Sequence, residues 1–283
     1  MCRKWVAGAG IRLPCSNGCR HSDAMTDLDT AHAAMEAAPE DDGARLRFYE
    51  RLADSEIYLL LGAEAEGDQI TPALFDVEDG QYALIFDREE RLSDFVGRTA
   101  PYAALPGRAL VQMLAGQGVG LGLNLEVAPS AMLIPTDAVD WLAQTLLHAP
   151  AETEARLTAI AAPRHLPQSV VTGLDRKLAI AAGLARLAYL AEVTYDTGAK
   201  GHVLAFVDAV EGAEKALASA AGEALTFSGI EAGMMDVLFL RAADPMAARL
   251  ATVGLRFDLP QPAVTAAGPA APGMDPTRPP KLR

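Results

Sequence analysis

Four glycines at alternate positions, Gly116, Gly118, Gly120 and Gly122, form the pattern that most invites a nucleotide-binding interpretation. A dinucleotide loop needs G-x-G-x-x-G between a strand and a helix, but position 121 is leucine and the segment follows a predicted helix. The G-K-[ST] of a phosphate loop is absent as well. Glycines two apart share one face of a strand and let another element pack closely, so the series predicts a packed strand.

The residues that could ligate a metal lie near the start of the chain. Cys15, Cys19 and His21 form C-x3-C-x-H, and Cys2 lies upstream. The cluster could supply three zinc ligands, but no fourth soft ligand sits at zinc-finger spacing. We therefore expect no metal site and no other cofactor.

Motifs for covalent or acid–base catalysis are missing from the sequence. It contains neither G-x-S-x-G nor H-E-x-x-H, and its five histidines are scattered. Acidic pairs such as Glu89 and Glu90 fit a solvated helix surface, and His202 fits a packed or edge position on a strand. We therefore predict no catalytic residue and a protein that is not an enzyme.

Four side chains are candidates for binding. Asn124 is a candidate ligand-binding residue because it follows the glycine-rich strand, at the kind of loop that carries function. The alternative is that its side chain bonds the turn backbone. Tyr102, Arg108 and Trp141 are candidates for an interaction surface, although each also fits packing.

Composition excludes several classes of partner. The 283 residues include 37 acidic and 24 basic side chains, a net charge of −13, which repels nucleic acid. The longest uncharged run, 109–125, contains four glycines and is shorter than the ~20 mostly apolar residues that span a bilayer. No cysteine follows Cys19, which suits a reducing compartment. We expect a cytoplasmic protein with no nucleic-acid or membrane partner.

Charge and proline divide the chain into segments. Residues 1–24 carry four basic residues against one acidic residue, and the chain then becomes acidic. This predicts a disordered, acidic lead-in over 1–43, with Met25 as an alternative translation start. Residues 259–283 are proline-rich and predict a disordered tail.

Between these segments we predict an α+β protein with two α/β modules, at 44–150 and 163–258. Alternating short strands and helices predict a mostly antiparallel sheet with helices in the first module. A helix-strand-strand-helix-strand order predicts a ferredoxin-like or related sandwich in the second.

Short apolar motifs in both modules resemble the SseB family. In the first module they are I-Y-L-L-L at 57–61, the strand-to-helix passage I-F-D-R-E-E-R-L at 85–92, and the helix-to-strand passage from L-A-G at 114–116 to G-L-N at 122–124. In the second they are L-P at 166–167, L-A-Y-L-A at 187–191 and H-V-L at 202–204. The resemblance covers about 44–258. It implies the SseB N-terminal and C-terminal domains and a role named after serine sensitivity, with no established reaction.

Two positions depart from the family pattern. Asp87 stands where the family tends to have serine or threonine, and we predict that it caps the following helix with Glu90 in a capping box. Asn124 is followed by Leu125 and Glu126, where the family tends to have Pro-Gly, so the turn is expected to differ in shape.

These observations favour a non-catalytic binding or regulatory protein that acts through contacts with an unknown protein partner. Sheet edges would also allow a homo-oligomer. The alternative is a sensor of a small, amino-acid-related metabolite that binds near Asn124. A third class, less favoured by the sequence, is a hydrolase or transferase whose acidic and histidine residues are brought together by folding.

Overall fold

The computed structural model describes residues 25–64, 70–77, 80–147, 156–164, 166–229 and 235–261. Within these ranges the chain forms two α+β modules, one after the other. The helices and strands of the first module are α1 (Asp27–Ala37), α2 (Asp42–Asp54), β1 (Glu56–Leu60), β2 (Leu74–Val77), β3 (Gly80–Phe86), α3 (Glu89–Val96), β4 (Tyr102–Pro106), α4 (Gly107–Leu114), β5 (Val119–Leu123), β6 (Met132–Ile134) and α5 (Thr136–Leu146).

The strands of the first module form one mixed sheet in the order β4-β1-β3-β5-β6, and β2 also pairs with β3. The β3–β5 pair is parallel, and the other pairs are antiparallel. The main core lies on one face of the sheet, where Phe48 of α2, Leu110 of α4 and Val139 of α5 are buried. Helix α3 covers part of the other face through Leu92. The predicted mostly antiparallel sheet is confirmed.

Strand β5 shows why its glycines alternate. All five of its residues are buried. A Cβ atom on Gly120 would lie 2.6 Å from the ring of Tyr82 and 2.7 Å from the carbonyl oxygen of Ile134. Both distances are well inside the ~3.5 Å at which non-bonded heavy atoms attract each other. Gly120 therefore allows close packing in the sheet, as the sequence predicted. The prediction is wrong for Gly116 and Gly118, which lie in the turn before β5 at φ 71° and 72°, a left-handed backbone that glycine adopts readily.

The second module is a sheet covered on both faces. Its helices and strands are β7 (Leu157–Ala161), α6 (Gln168–Ile180), β8 (Leu187–Tyr195), β9 (Lys200–Val207), α7 (Glu214–Thr226), β10 (Met235–Leu240), α8 (Pro245–Val253) and β11 (Leu255–Asp258). The strand order is β10-β9-β8-β11, and β7 also pairs with β8. Leu174 of α6 and Leu217 of α7 pack on one face, and Leu250 of α8 packs on the other.

The two mixed sheets with their helices confirm the α+β class. In the second module, β9 and β10 are adjacent and parallel over six residue pairs, joined by the crossover helix α7. A ferredoxin-like split βαβ unit would place another strand between two strands connected in this way. The second module is therefore a related sandwich and does not have the ferredoxin-like strand order.

Helix α1 differs from the disordered lead-in that the sequence predicted over 1–43. Thr26 and Asp29 form a capping box at its N-terminus, in which each side chain accepts a hydrogen bond from the other residue's backbone N–H. Leu28 is buried in the core of the first module. The acidic composition of this segment favoured a prediction of disorder. In the structure, acidic residues such as Asp27 and Glu36 are exposed on the helix.

Several predictions concern residues outside the described ranges. Residues 1–24, with all three cysteines, and residues 262–283, with most of the proline-rich tail, are among them. The module boundaries stay predictions. No helix in the described ranges combines the length and the apolar character needed to cross a membrane.

Candidate functional site

Asn124 lies directly after β5, in the left-handed region of backbone conformation with φ 46°. Asparagine tolerates this region better than most residues do. The side chain is fully buried. Its Oδ1 accepts a hydrogen bond from the backbone N–H of Asp87 at 3.1 Å, and its Nδ2 donates to Ser130 Oγ at 2.9 Å. The amide therefore connects the ends of β3 and β5 with the loop before β6. The ligand-binding role of Asn124 stays a prediction.

The hydrogen bonds continue from Ser130 into a buried ion pair. Ser130 Oγ donates to Asp29 Oδ1 at 2.5 Å. The guanidinium of Arg91 donates to both carboxylate oxygens of Asp29, at 3.0 and 2.5 Å, and to Asp87 Oδ1 at 2.7 Å. Burial alone would raise the pKa of Asp29, but the hydrogen bonds from Arg91, Ser130 and Thr26 together hold it well below its ordinary value. This network fixes α1 and α3 to the sheet.

The position of Asp87 corrects the predicted helix cap. Arg88 occupies the N-cap position of α3, and no side-chain capping bond is formed there. The carboxylate of Asp87 instead accepts hydrogen bonds from Arg91 and from Thr26 Oγ1. A guanidinium donor in a partly buried site forms a stronger, charge-assisted bond than a backbone N–H does, which explains why the side chain turns away from the helix end.

The three residues predicted as an interaction surface lie in different surroundings. Tyr102 begins the edge strand β4, is 40% exposed, and has its ring 5.7 Å from that of Tyr58. Trp141 of α5 is 39% exposed and its ring lies 5.4 Å from that of Tyr49 on α2. Arg108 lies past the opposite end of β4, at the contact between the modules. The structure does not bring the three residues together into one surface patch.

Arg108 belongs to an ion-pair cluster that joins the two modules. Its guanidinium contacts Asp54 of α2 at 2.6 Å and both oxygens of Glu223 on α7 at 3.1 Å. Lys177 of α6 is 4% exposed, and its Nζ lies 2.7 Å from Asp54, 2.8 Å from Glu223 and 3.8 Å from Glu50. Each module supplies both cations and carboxylates. The cluster therefore fixes α2 and α4 of one module to α6 and α7 of the other.

An apolar contact supports the same junction. Phe227, directly after α7, is buried in the core of the first module. The Nζ of Lys177 lies 5.8 Å from the centre of its ring, within range of a cation–π interaction. Burial raises the pKa of Glu50 above its ordinary value, and its Oε1 lacks a hydrogen-bond partner within the described part of the chain. The junction thus contains one buried acceptor that is not satisfied.

Much of the first module is similar to a known domain. Residues 31–141 match the family model of the SseB protein N-terminal domain. The match includes Asp87, Arg91, Asn124 and Ser130, and it confirms the resemblance predicted for the first module. No curated protein and no solved structure matches the chain.

In the second module, β10 forms one edge of the sheet. Its sequence, M-D-V-L-F-L, has a single charge, at Asp236, whose carboxylate accepts a hydrogen bond from the hydroxyl of Tyr195. Phe239 is 36% exposed, although its ring is stacked on that of Phe206 at 5.7 Å. Among the described residues, no other strand pairs with the outer side of β10.

The other edges are protected in ways that β10 is not. Proteins protect edge strands with prolines, charges, bulges or short length. Strand β4, at the edge of the SseB-like module, lies between Pro101 and Pro106, and β6 has three residues. Strand β7 contains a register shift, and β11 exposes Arg256 and Asp258. Strand β10 pairs without interruption over all six residues, contains no proline, and has a single charge, at Asp236.

Sequence reasoning predicts β10 as a strand but does not predict its position at an edge of the sheet. The run from Met235 to Leu240 predicts a strand with the observed ends, whereas its position at an edge depends on the pairing of β9 with β8 and β10. The absence of proline, lysine and glycine in the run was the signal that could have indicated it. Within the described ranges, no group of three or more histidine, cysteine or acidic residues could hold a metal ion.

Proposed function

We propose that this chain is a non-catalytic binding protein of the SseB family that acts in the cytoplasm through contacts with another protein. The exposed edge of β10 is the observation that carries the proposal. The match of the first module to the SseB N-terminal domain supports the family assignment. On this proposal the second module corresponds to the C-terminal SseB domain, because of the L-P, L-A-Y-L-A and H-V-L motifs.

Binding at β10 would follow the physics of strand addition. An edge strand presents backbone N–H and C=O groups to which another strand can pair. Those backbone bonds would supply affinity, and Phe239 would supply an apolar contact. The partner on this proposal is a protein segment in extended conformation, and a second copy of β10 is one such segment.

The proposed compartment rests on the sequence. Residues 20–283 contain no cysteine, which agrees with a protein whose stability does not depend on disulfides. The net charge of −13 supports a partner other than nucleic acid.

Replacing Phe239 by lysine should abolish partner binding without unfolding the protein. A lysine on an edge strand opposes pairing with another strand because its charge would be desolvated. The control is Leu133→Lys, which introduces the same charge at a residue that is 39% exposed on another edge strand, β6. The measurement is affinity capture from native lysate, with light scattering to determine whether the chain self-associates and circular dichroism to verify folding.

The proposal expects a stoichiometric partner that is retained by the unmodified protein and by Leu133→Lys and lost by Phe239→Lys. If light scattering instead detects a homo-oligomer that Phe239→Lys dissociates, the partner is a second copy. Equal retention by both variants, or no partner and no self-association at all, would contradict binding at β10.

A further inference from the structure

A cavity of about 290 Å³ lies at the junction of the modules, between α2 and the first turns of α6. Its lining combines cationic and hydroxyl side chains from both modules. Arg47 and Glu50 come from α2, whereas Ser169, Thr172 and Arg176 come from α6. This cavity is distinct from the Asn124 network and from the edge strand β10.

The donors around the cavity have few partners of their own. Arg176 and the hydroxyls of Ser169 and Thr172 make no hydrogen bond or ion pair with other described residues. Arg47 contacts Asp41 at 3.3 Å in an exposed pair, an arrangement that contributes little stability. By contrast, Lys177, one residue along α6, is held by carboxylates at 2.7 and 2.8 Å. The arginines at the cavity are therefore available to an anion.

The first turn of α6 borders the same cavity through Gln168 and Ser169. This helix has 13 residues, and its N-cap, Pro167, supplies no side-chain hydrogen bond to the first turn. The first N–H groups of a helix are free of intrahelical partners and carry the positive end of its dipole. The N-terminus thus adds to the attraction of an anion by Arg47 and Arg176.

Glu50 supplies the independent indication that something binds here. Its side chain is 3% exposed and lines the cavity, yet Oε1 has no hydrogen-bond partner among the described residues. The Nζ of Lys177 is 3.8 Å away, beyond hydrogen-bond distance. A buried acceptor without a donor is rare and costly. A ligand that satisfies it must carry an O–H or N–H group beside its anionic oxygens.

We infer that this cavity binds a phosphate group, as inorganic phosphate or as a small phosphomonoester. Guanidinium forks, hydroxyls and helix N–H groups match the several acceptor oxygens of phosphate. A phosphate that retains one proton also offers the O–H donor for Glu50. The volume of about 290 Å³ is at the lower limit of ligand pockets, which start at about 300 Å³, and favours a small ligand.

The test is calorimetric titration of the full chain with inorganic phosphate, glycerol 3-phosphate and succinate at constant ionic strength. A pH of about 6 keeps one proton on roughly half of the glycerol 3-phosphate, because the second pKa of a phosphomonoester is about 6, and inorganic phosphate carries at least one proton at this pH. Arg176→Gln is the informative variant, since the exposed Arg176 has no partner among the described residues whose loss would affect folding. The matched control is Arg249→Gln, an exposed arginine on α8.

The inference expects saturable binding of one phosphate per chain, weakened roughly tenfold by Arg176→Gln and unchanged by Arg249→Gln. A stronger response to glycerol 3-phosphate than to inorganic phosphate would identify a phosphomonoester as the ligand class, and the reverse would identify free phosphate. Succinate binding as tightly as either phosphate, or no saturable binding, would overturn it. Phosphate binding should also persist in Phe239→Lys, so this inference and the proposed function fail separately.

Discussion

Replacing Lys177 by methionine should lower the free energy of unfolding by about 3–5 kcal/mol, because it removes the buried cation of the cluster and leaves Asp54 and Glu223 with the partly exposed Arg108 alone. The Nζ of Lys177 lies within 2.8 Å of both Asp54 and Glu223, and the residue is 4% exposed. Methionine keeps most of the side-chain volume, so the loss reports on the charge more than on a cavity. Denaturant unfolding monitored by circular dichroism measures the change.

The control for this prediction is Lys215→Met on α7. Lys215 is exposed, and its replacement should change the free energy of unfolding by no more than about 0.5 kcal/mol. A loss below about 1 kcal/mol for Lys177→Met would equal that of an exposed ion pair, and the cluster would then not be a principal contact between the modules.

Replacing Arg91 by methionine should destabilise the first module by an amount that increases with pH. In the unmodified protein the pKa of Asp29 is lowered relative to its value of about 3.9 in the unfolded chain. The charge of Asp29 therefore stabilises the fold above about pH 3.9, and this stabilisation is lost as pH falls further. Without Arg91, its hydrogen bonds and charge no longer favour the ionised carboxylate of Asp29, so burial is opposed by Ser130 and Thr26 alone and the cost of the substitution increases as pH rises. We expect the difference between the two proteins to be largest near pH 7, at about 3–5 kcal/mol, and to decrease as pH falls below about 3.9 toward the lowered pKa of Asp29.

Unfolding monitored by the fluorescence of Trp141 tests this expectation, because Trp141 packs against Tyr49 within the first module. Arg249→Met, at an exposed position on α8, should change stability by no more than about 0.5 kcal/mol at every pH. A difference between Arg91→Met and the unmodified protein that is constant from pH 3 to pH 7 would contradict the assigned role of Asp29.

Local sequence patterns predict several elements of the fold. Gly120 and Gly122 predict the buried strand β5, because a period of two is visible in the sequence, whereas Gly116 and Gly118 lie in the preceding turn. The run from Met235 to Leu240 predicts β10 with its observed ends. These features depend on neighbouring residues and need no knowledge of the tertiary structure.

Features that depend on distant residues were not predictable. The acidic composition of 25–43 predicts disorder, whereas helix α1 forms because Leu28 packs into a core made by residues distant in the sequence. The prediction of Asp87 as a helix cap is wrong because its carboxylate pairs with Arg91, one helical turn along the chain, and with Thr26, which the packing of α1 brings close. Lys177 resembled an ordinary helix residue, since two of its carboxylate partners lie on α2, more than 120 positions away.

Hydrogen exchange measured by mass spectrometry, on the chain alone and with its captured partner, tests strand addition at β10 most directly. We predict slower exchange of the backbone amides of 235–240 in the complex, because a partner strand would accept hydrogen bonds from those that face outward. Unchanged exchange at 235–240, with slower exchange elsewhere in the chain, would contradict binding at this edge.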